Sequence, residues 1–283
     1  MKKREITLNI FLYIFLTAVL LITVFPLVYT IASSFKTNME IMTMPGKIFP
    51  SKPTADNYIQ AWTSKSFYVP VLLKNSLVYT LANVLSTLVI SAMAGYVFAR
   101  GHFHFKRLIF MCFTSLMFIK TGGIGIYAQF EVLSLIHLDR SLGALIVMHC
   151  FAVPIVNMYL VRGNVEQIPR EIDEAAKIDG CSFVVIFFRI ILPLLKPILA
   201  TIAVLSFNAS WNDYIMPNIF TLTDPSQRTL IVGLMALKNT GESASSWNLM
   251  LAGSVIALIP VLIAFGVCNR FFVKGLAAGA VKG

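Results

Sequence analysis

The amino-acid sequence predicts an all-α integral membrane protein with six transmembrane helices and a polar helix-turn-helix between the fourth and the fifth. Hydrophobic residues make up 57% of the 283 residues. Charged residues make up only 13%, whereas a soluble domain usually carries about 25%. Several charge-free runs exceed the roughly 20 residues that a helix needs to cross the hydrocarbon core of a bilayer. One charged insert, at residues 163–192, interrupts the apolar pattern.

These runs, and the interruptions between them, place the six spans. Four runs contain no charged residue, namely 6–35, 75–99, 141–161 and 243–269. Two further spans are interrupted, the third by Lys120 and the fifth by Asp213. The predicted spans lie near residues 9–33, 73–99, 107–129, 141–162, 193–216 and 247–271.

The first span follows a basic N-terminal stretch, as a secretory signal would. Its apolar run, however, extends from Ile6 to Phe35. A signal peptide has an apolar region of only about 7–15 residues. We therefore expect a helix that is retained in the membrane.

Lysine and arginine set the orientation, because cytoplasmic loops of membrane proteins are enriched in them. With the N-terminus inside, 14 of the 23 basic residues fall on inner segments. They are Lys2, Lys3, Arg4, Arg100, Lys106, Arg107, Arg162, Arg170, Lys177, Arg189, Lys196, Arg270, Lys274 and Lys282. We expect a multi-pass protein of the bacterial cytoplasmic membrane with both termini in the cytoplasm. The net charge of +10 then reflects topology and anionic lipid rather than nucleic-acid binding.

The charged insert is interpreted as two helices joined by a turn. Pro169 marks a helix start, and the acidic residues after it lie where the helix dipole favours negative charge. Gly180 permits a left-handed turn, and Ser182 is placed to cap a second helix. Pro193 and Pro197 mark the return to the membrane. On the first helix, one side is expected to carry Ile172, Ala175, Ala176 and Asp179.

The insert also carries a spaced motif. It reads Glu174-Ala175-Ala176, then Asp179-Gly180, and, after nine intervening residues, Ile190-x-Leu192-Pro193. The motif resembles the cytoplasmic coupling loop of ATP-binding-cassette importer permeases. Further segments resemble the carbohydrate-uptake branch, which is the maltose-type, binding-protein-dependent family, and they are 94–100, 211–214, 270–276 and 278–283. The resemblance covers residues 70–283, and the first span fits it too.

The resemblance implies the type I ABC importer fold as a single permease domain over 1–283, with its core at 70–283, the first span at 9–33 and the coupling loop at 163–192. It implies a pathway-forming subunit that works with a second homologous permease, two ATPase subunits and an extracytoplasmic solute-binding protein, and that imports a sugar or oligosaccharide. ATP would be bound by the ATPase, so no cofactor is expected in this chain. The residues implied in ATPase coupling are Glu174, Ala175, Ala176, Asp179, Gly180, Ile190, Leu192 and Pro193. The resemblance also implies that Lys282 and Gly283, in the tail, contact the ATPase.

The fifth span contains the polar residues that are candidates for the pathway or its gate. They are Asn208, Trp211, Asn212 and Asp213. Ionisable groups at membrane depth are costly and often functional. Pro217 follows Asp213 within one turn, which places this acid near the end of the span. A structural or gating role is favoured over solute contact or proton coupling.

Other classes of function are weighed against this interpretation. The chain has no phosphate-binding loop of the Gly-x-x-x-x-Gly-Lys-Ser/Thr type and no catalytic constellation, so we expect no enzyme. His102 and His104 lie among cations, which disfavours a metal site. A permease of the same superfamily for a non-sugar solute, or an ion-coupled secondary transporter, remains an alternative. The segment 121–125, Thr-Gly-Gly-Ile-Gly, departs from the family pattern and leaves the end of the third span open.

Overall fold

The computed structural model describes residues 2–64, 67–119, 122–135, 137–138, 140–239 and 246–280. Within these ranges the chain is largely helical and contains no β-strand. The α-helices are α1 (Lys2–Ser33), α2 (Asn38–Thr43), α3 (Asp56–Thr63), α4 (Val69–Arg100), α5 (Lys106–Leu116), α6 (Gly122–Leu135), α7 (Leu142–Phe151), α8 (Ile155–Glu166), α9 (Arg170–Ile178), α10 (Phe183–Ile186), α11 (Leu192–Leu194), α12 (Lys196–Trp211), α13 (Ile215–Phe220), α14 (Leu230–Asn239) and α15 (Trp247–Ala280). A π-helix occupies Phe187–Ile191, and a 3₁₀ turn occupies Pro225–Gln227.

Four helical segments are long and apolar enough to cross a bilayer. They are Leu8–Ser33, Val69–Arg100, Leu142–Glu166 and Trp247–Val267. These segments coincide with the first, second, fourth and sixth predicted spans. A helix satisfies its backbone hydrogen bonds within itself, as hydrocarbon requires, and three of the four segments are continuous helices, while Leu142–Glu166 is interrupted between α7 and α8.

The structure differs from the prediction in the regions of the third and fifth spans. In place of one helix near 107–129 the chain forms two shorter ones, α5 and α6. Gly122, the first residue of α6, has a φ of +53°, a left-handed conformation that glycine adopts without steric cost. In the region of the fifth predicted span, Phe183–Leu194 meets Lys196–Trp211 at a bend of 75°, and the two segments are long and apolar enough to cross a bilayer only when taken together. The count of six spans therefore stays a prediction.

The chain forms two compact units, Met1–Pro70 with Gly233–Ile259 and Val71–Val232 with Pro260–Gly283. The single domain expected from the sequence stays a prediction. In the first unit, the amide of Asn57 donates to the carbonyls of Ser34 (2.7 Å) and Lys36 (2.8 Å). Its oxygen accepts from the amide of Asn248 at 2.8 Å. This buried asparagine thus ties α3 to the end of α1 and to the start of α15.

The second unit has two apolar clusters at opposite ends of α4. One surrounds Tyr79 and consists of Tyr79, Leu133, Leu142, Ala144, Leu145 and Phe220. The other lies towards Arg100 and consists of Ala92, Tyr96, Ala99, Val161, Val165, Ala176, Ile186, Phe187, Ile191, Leu195 and Ile202. The second cluster joins α4 and α8 to the charged insert, so the insert is packed against the membrane helices.

The contact between α4 and α8 is close because Gly95 has no side chain. A Cβ atom added at Gly95 would lie 2.6 Å from Cγ1 of Val161 and 3.0 Å from the backbone nitrogen of Arg162. Small residues let membrane helices approach in this way. The contact fixes the spacing of the two helices on which the insert rests.

Replacing Gly95 with alanine should therefore destabilise the protein. Overpacking at such a contact lowers the free energy of unfolding by about 1–3 kcal/mol. The matched control is Gly163→Ala on α8, where an added Cβ has no atom within 4 Å. Thermal unfolding in detergent should show a lower midpoint for Gly95→Ala and an unchanged or higher midpoint for the control. Equal midpoints would contradict the proposed close contact.

Candidate functional site

Helix α9 begins where the sequence predicts. Pro169 is its N-cap residue, and Glu171 and Asp173 lie in its first turn, near the positive end of the helix dipole. The helix ends at Ile178. It is strongly amphipathic, because its buried residues, Asp173 and Ala176, lie three positions apart and so share one side of the helix.

The side of α9 on which Ile172, Ala175, Ala176 and Asp179 are predicted to lie together is only partly buried. Ala176 is buried in the apolar cluster, whereas Ala175 and Asp179 are exposed. Ile172 is 36% exposed and Ile178 is 87% exposed. Asp173 lies on the buried side of α9, because its carboxylate is bound by a cation inside the protein. The exposed side therefore presents apolar side chains to the surroundings.

That cation is Arg100, the last residue of α4. Its Nε lies 2.6 Å from Oδ2 of Asp173, and the two side chains are only 8% and 9% exposed. A terminal guanidinium nitrogen of Arg100 also donates to the carbonyl of Ile168, just before α9. Removing one partner of such a buried pair strongly destabilises the folded protein, because the charge of the other partner stays buried and unpaired. The pair holds α9 at a fixed position against the end of α4.

The turn after α9 agrees with the prediction. Gly180 has a φ of +80° and is exposed, and an added Cβ would meet no atom within 4 Å. Its conformation, rather than the space around it, thus calls for glycine. Ser182 is the N-cap residue of α10, and its hydroxyl accepts from the backbone of Val185 at 3.4 Å.

The second half of the motif forms a π-helix followed by a bend. The backbone N–H of Leu192 bonds to the carbonyl of Phe187, five residues earlier. Pro193, which is exposed, has no N–H to bond to the carbonyl of Arg189, and its ring would clash with that group in an α-helix. The wider π-turn removes this conflict. Such turns recur at functional sites.

The apolar residues around this bend anchor it. Ile190 and Leu192 are partly buried against the cluster near Arg100, and Ile191 between them is completely buried. Tyr96 of α4 stacks on Phe183 with ring centroids 4.5 Å apart, and its hydroxyl donates to the carbonyl of Phe183 at 3.3 Å. The motif is therefore attached to α4 on both sides of the Gly180 turn.

A cleft of about 500 Å³ lies between the end of α4, the link to α5, and α9. Glu174 is exposed and lines it, together with Arg170 and Lys177. At its edge the ammonium of Lys106 donates to the carbonyl of Gly101 at 2.9 Å. Burial, followed by the charge of Arg162, lowers the pKa of Lys106 from its ordinary value.

The polar residues of the fifth span lie at the other end of α12. Asp213 accepts a hydrogen bond from the hydroxyl of Tyr79 at 2.8 Å and one from the backbone of Met216 at 3.4 Å. Tyr79 is buried on α4, and Asp213 is half-buried. On the neighbouring turn, the amide of Asn83 donates to the hydroxyl of Ser210 at 3.4 Å. The acid thus connects α12 to α4 and caps the start of α13.

The remaining pathway candidates divide into one buried residue and two exposed ones. Trp211 is 2% exposed and stacks on Phe207 with ring centroids 5.6 Å apart. Asn208 and Asn212 are exposed, and the amide of Asn212 donates to the side-chain oxygen of Asn208 at 2.9 Å. Trp211 is therefore a packing residue here, and the two asparagines form a polar strip.

Two candidates of the sequence analysis, Lys282 and Gly283, lie outside the described residues. Among the residues that are described, no group of three or more His, Cys, Asp or Glu side chains is placed to bind a metal ion. The pairing of Arg100 with Asp173 was not predicted from the sequence. The sequence feature that could have revealed this pair is the acid Asp173, three residues before the small apolar Ala176 on one side of a helix.

The ion pair can be tested by a double-mutant cycle. Asp173→Leu and Arg100→Met should each lower the free energy of unfolding by about 3–5 kcal/mol, because the remaining partner then keeps an unpaired buried charge. The double variant Arg100→Met, Asp173→Leu should lose about 1 kcal/mol or less, since no charge is left buried. Thermal unfolding in detergent measures all three variants. Hydrogen exchange over residues 168–180 should rise in the single variants.

A loss in the double variant equal to the sum of two independent single losses would contradict the coupling of the pair. Glu171→Gln is the matched control for removing a carboxylate from α9, because Glu171 is exposed. This control should leave unfolding unchanged within about 0.5 kcal/mol.

Comparisons with known proteins agree with this architecture. A family model described as the binding-protein-dependent transport system inner membrane component matches residues 5–280. The galactooligosaccharides transport system permease protein GanQ of Bacillus subtilis is 32% identical, over 100% of this chain and 99% of its own. The probable starch degradation products transport system permease protein AmyC of Thermoanaerobacterium thermosulfurigenes is 33% identical, over 99% of both chains.

A solved structure supports the fold. The chain is similar to a chain of a bacterial ABC transporter involved in the import of the acidic polysaccharide alginate, with a TM-score of 0.80. The similarity covers 95% of this chain and 97% of the other, at 21% identity. The fold is therefore that of an ABC importer permease. The family match and the two relatives, each aligned over almost the whole chain, establish that this protein belongs to the family of inner membrane components of binding-protein-dependent transport systems.

Proposed function

We propose that this chain is the membrane-spanning permease subunit of an ATP-driven importer for a sugar or oligosaccharide. It forms half of the translocation pathway and has no enzymatic activity of its own, since its family consists of transport permeases. The class of solute follows from relatives such as GanQ and AmyC, whose names refer to galactooligosaccharides and to starch degradation products. The protein is a multi-pass component of the cytoplasmic membrane.

The single observation that carries the coupling role is the construction of α9. Outside the membrane-spanning segments this helix exposes Ile172, Ala175 and Ile178, while its other side is fixed to α4. Exposed apolar side chains on a rigidly held surface helix are typical of a protein interface. The ATPase, which binds the ATP, is the partner for this surface. Glu174, Ala175, Asp179 and Gly180 meet it directly, and Ala176, Ile190, Leu192 and Pro193 hold the helix in place.

The pathway lies along α12. Exposed amides within an apolar helix are costly in lipid, so the side with Asn208 and Asn212 faces the pathway or the second permease. Asp213 is a structural or gating residue, because its carboxylate is engaged by Tyr79 and by the α13 backbone. Trp211 supports this end of the helix from inside.

The assembly contains one copy of this chain, a second homologous permease, two ATPase subunits and an extracytoplasmic solute-binding protein. Both termini and α9 lie on the cytoplasmic side. The tail with Lys282 and Gly283 extends towards the ATPase interface. The whole chain forms one permease domain around these contacts.

Affinity purification tests the proposal. The tagged chain is isolated from detergent-solubilised membranes, and its partners are identified by mass spectrometry. We expect a second permease and an ATPase, and the associated binding protein then identifies the solute by direct binding measurements. If the chain is isolated alone and transports in liposomes without ATP, the importer function is wrong and Asp213 becomes the residue to examine.

Replacing Gly180 with valine should reduce ATP-driven uptake by about tenfold or more, because a β-branched residue at a φ of +80° is strained. The altered turn displaces α9 from the ATPase. Solute uptake in membrane vesicles measures the effect, and immunoblotting of the membrane fraction checks that the protein is present. Gly163→Val is the control on a helix side without neighbours. Normal uptake by the Gly180 variant would contradict the coupling role.

Replacing Glu174 with glutamine should weaken the association with the ATPase by about tenfold, as expected for the loss of a charge-assisted hydrogen bond. The amount of ATPase that copurifies with the tagged chain measures this effect. Glu171→Gln removes the same charge one turn earlier and should retain more ATPase. Unchanged copurification in the Glu174 variant would count against a direct contact.

A further inference from the structure

The cleft beside α9 has two kinds of wall, and among its lining residues only Glu174 is assigned above to direct contact with the ATPase. Its volume is about 500 Å³. The lining residues are Tyr96, Val97, Ala99, Arg100, Gly101, His102, Phe103, Lys106, Arg170, Asp173, Glu174, Lys177, Phe183 and Ile186. One wall is cationic, and the other is formed by aromatic and aliphatic side chains at the end of a membrane-spanning helix.

The cationic wall has a net positive charge. Arg100 and Asp173 neutralise each other in their buried pair. This leaves the cations Lys106, Arg170 and Lys177 facing the carboxylate of Glu174, which also lines the cleft. Within the described ranges, Arg170 and Lys177 form no ion pair, and both are exposed. Their spacing of seven positions places them on the same side of α9.

The apolar wall continues onto the membrane-facing surface. Val97 is 37% exposed, and Phe103 and Phe183 are each 39% exposed. Val97 lies in the last turn of α4, whose apolar length marks it as a span. The cleft therefore lies at the end of a helix that is long and apolar enough to cross a bilayer, with cations on one wall and apolar side chains on the other.

We propose that this cleft binds an anionic phospholipid of the inner leaflet, with the phosphate held by Lys106, Arg170 and Lys177 and an acyl chain lying against Val97 and Phe103. Basic pockets at the cytoplasmic ends of membrane helices recognise anionic lipid headgroups in this way. The proposal rests on the proposed function only in placing α9 on the cytoplasmic side. It assigns to the lipid a position next to Glu174, so that the lipid and the ATPase adjoin on α9.

An acidic segment of the ATPase is the competing occupant. Such a segment would satisfy the cations but would leave the apolar wall next to lipid unused. A phospholipid matches both walls at once, because its phosphate lies against the cations while its acyl chains lie against the apolar side chains. The chemistry of the cleft thus favours the lipid.

The test is native mass spectrometry of the delipidated full-length chain, titrated with phosphatidylglycerol or with phosphatidylcholine of the same acyl chains. The test variant carries Arg170→Gln and Lys177→Gln. The control variant carries Arg189→Gln, within the insert, and Lys196→Gln, at the start of α12, and these two exposed cations do not line the cleft. Each cation near an anionic headgroup contributes about fivefold, so the test variant should bind phosphatidylglycerol about thirtyfold more weakly.

The wild-type chain and the control variant should bind phosphatidylglycerol alike and in preference to phosphatidylcholine. Equal binding by all three chains would overturn the proposal, because the cleft would then make no contribution. Full competition by glycerol phosphate would also overturn it, since the site would recognise a soluble phosphate rather than a lipid. A test variant that keeps the lipid but no longer copurifies with the ATPase would assign the cleft to the ATPase.

The readout separates this proposal from the importer function. Lipid binding is measured without ATP, solute or ATPase, so it fails or succeeds independently of transport. A chain that binds phosphatidylglycerol at the cleft but has no ATPase partner would retain the lipid site and lose the importer function. A chain that has an ATPase partner but binds no lipid specifically would retain the importer function and lose the lipid site.

Discussion

The buried ion pair between Arg100 and Asp173 is the interaction on which the arrangement of the charged insert depends. Without it, α9 would be a short amphipathic helix of nine residues, which has little stability in isolation. The pair turns Asp173 inwards, and this rotation determines which residues of α9 are exposed. It also places α9, which begins at the cap residue Pro169, directly at the end of α4. The surface proposed for the ATPase is therefore a consequence of an interaction on the opposite side of the helix.

Helix α4 connects the two functional regions because it contacts partners at both ends. Near Arg100 it holds α9 and, through Tyr96, the start of α10. Near Tyr79 it is bonded to Asp213 at the far end of α12. A displacement of α9 thus has a continuous path to the proposed pathway residues through one uninterrupted helix. The π-helix and the 75° bend add a second route, from the insert directly into α12. Packed side chains and rigid helices of this kind are elements that carry energetic coupling between distant sites.

Sequence patterns predicted those features that depend on local chemistry. The apolar runs gave four of the spans, and Pro169, Gly180 and Ser182 gave the limits of the helix-turn-helix, since each acts through its own backbone or side chain. What required long-range contacts was not predicted. The inward turn of Asp173 depends on Arg100, which is 73 positions away in the sequence. The break between α5 and α6 and the bend before α12 are likewise backbone features that hydrophobicity does not reveal.

The polar residues of α12 show how a pathway side can be distinguished from a structural one. Tyr79, Asn83, Ser210 and Asp213 bond to one another across two helices, so their polar groups are satisfied inside the chain. Asn208 and Asn212 bond to each other but remain exposed. In hydrocarbon such exposed amides would have no further partners, whereas water, a sugar hydroxyl or a second permease would supply them. The first set therefore stabilises the helix pair, and the second set is left on the side proposed above to face the pathway or the second permease.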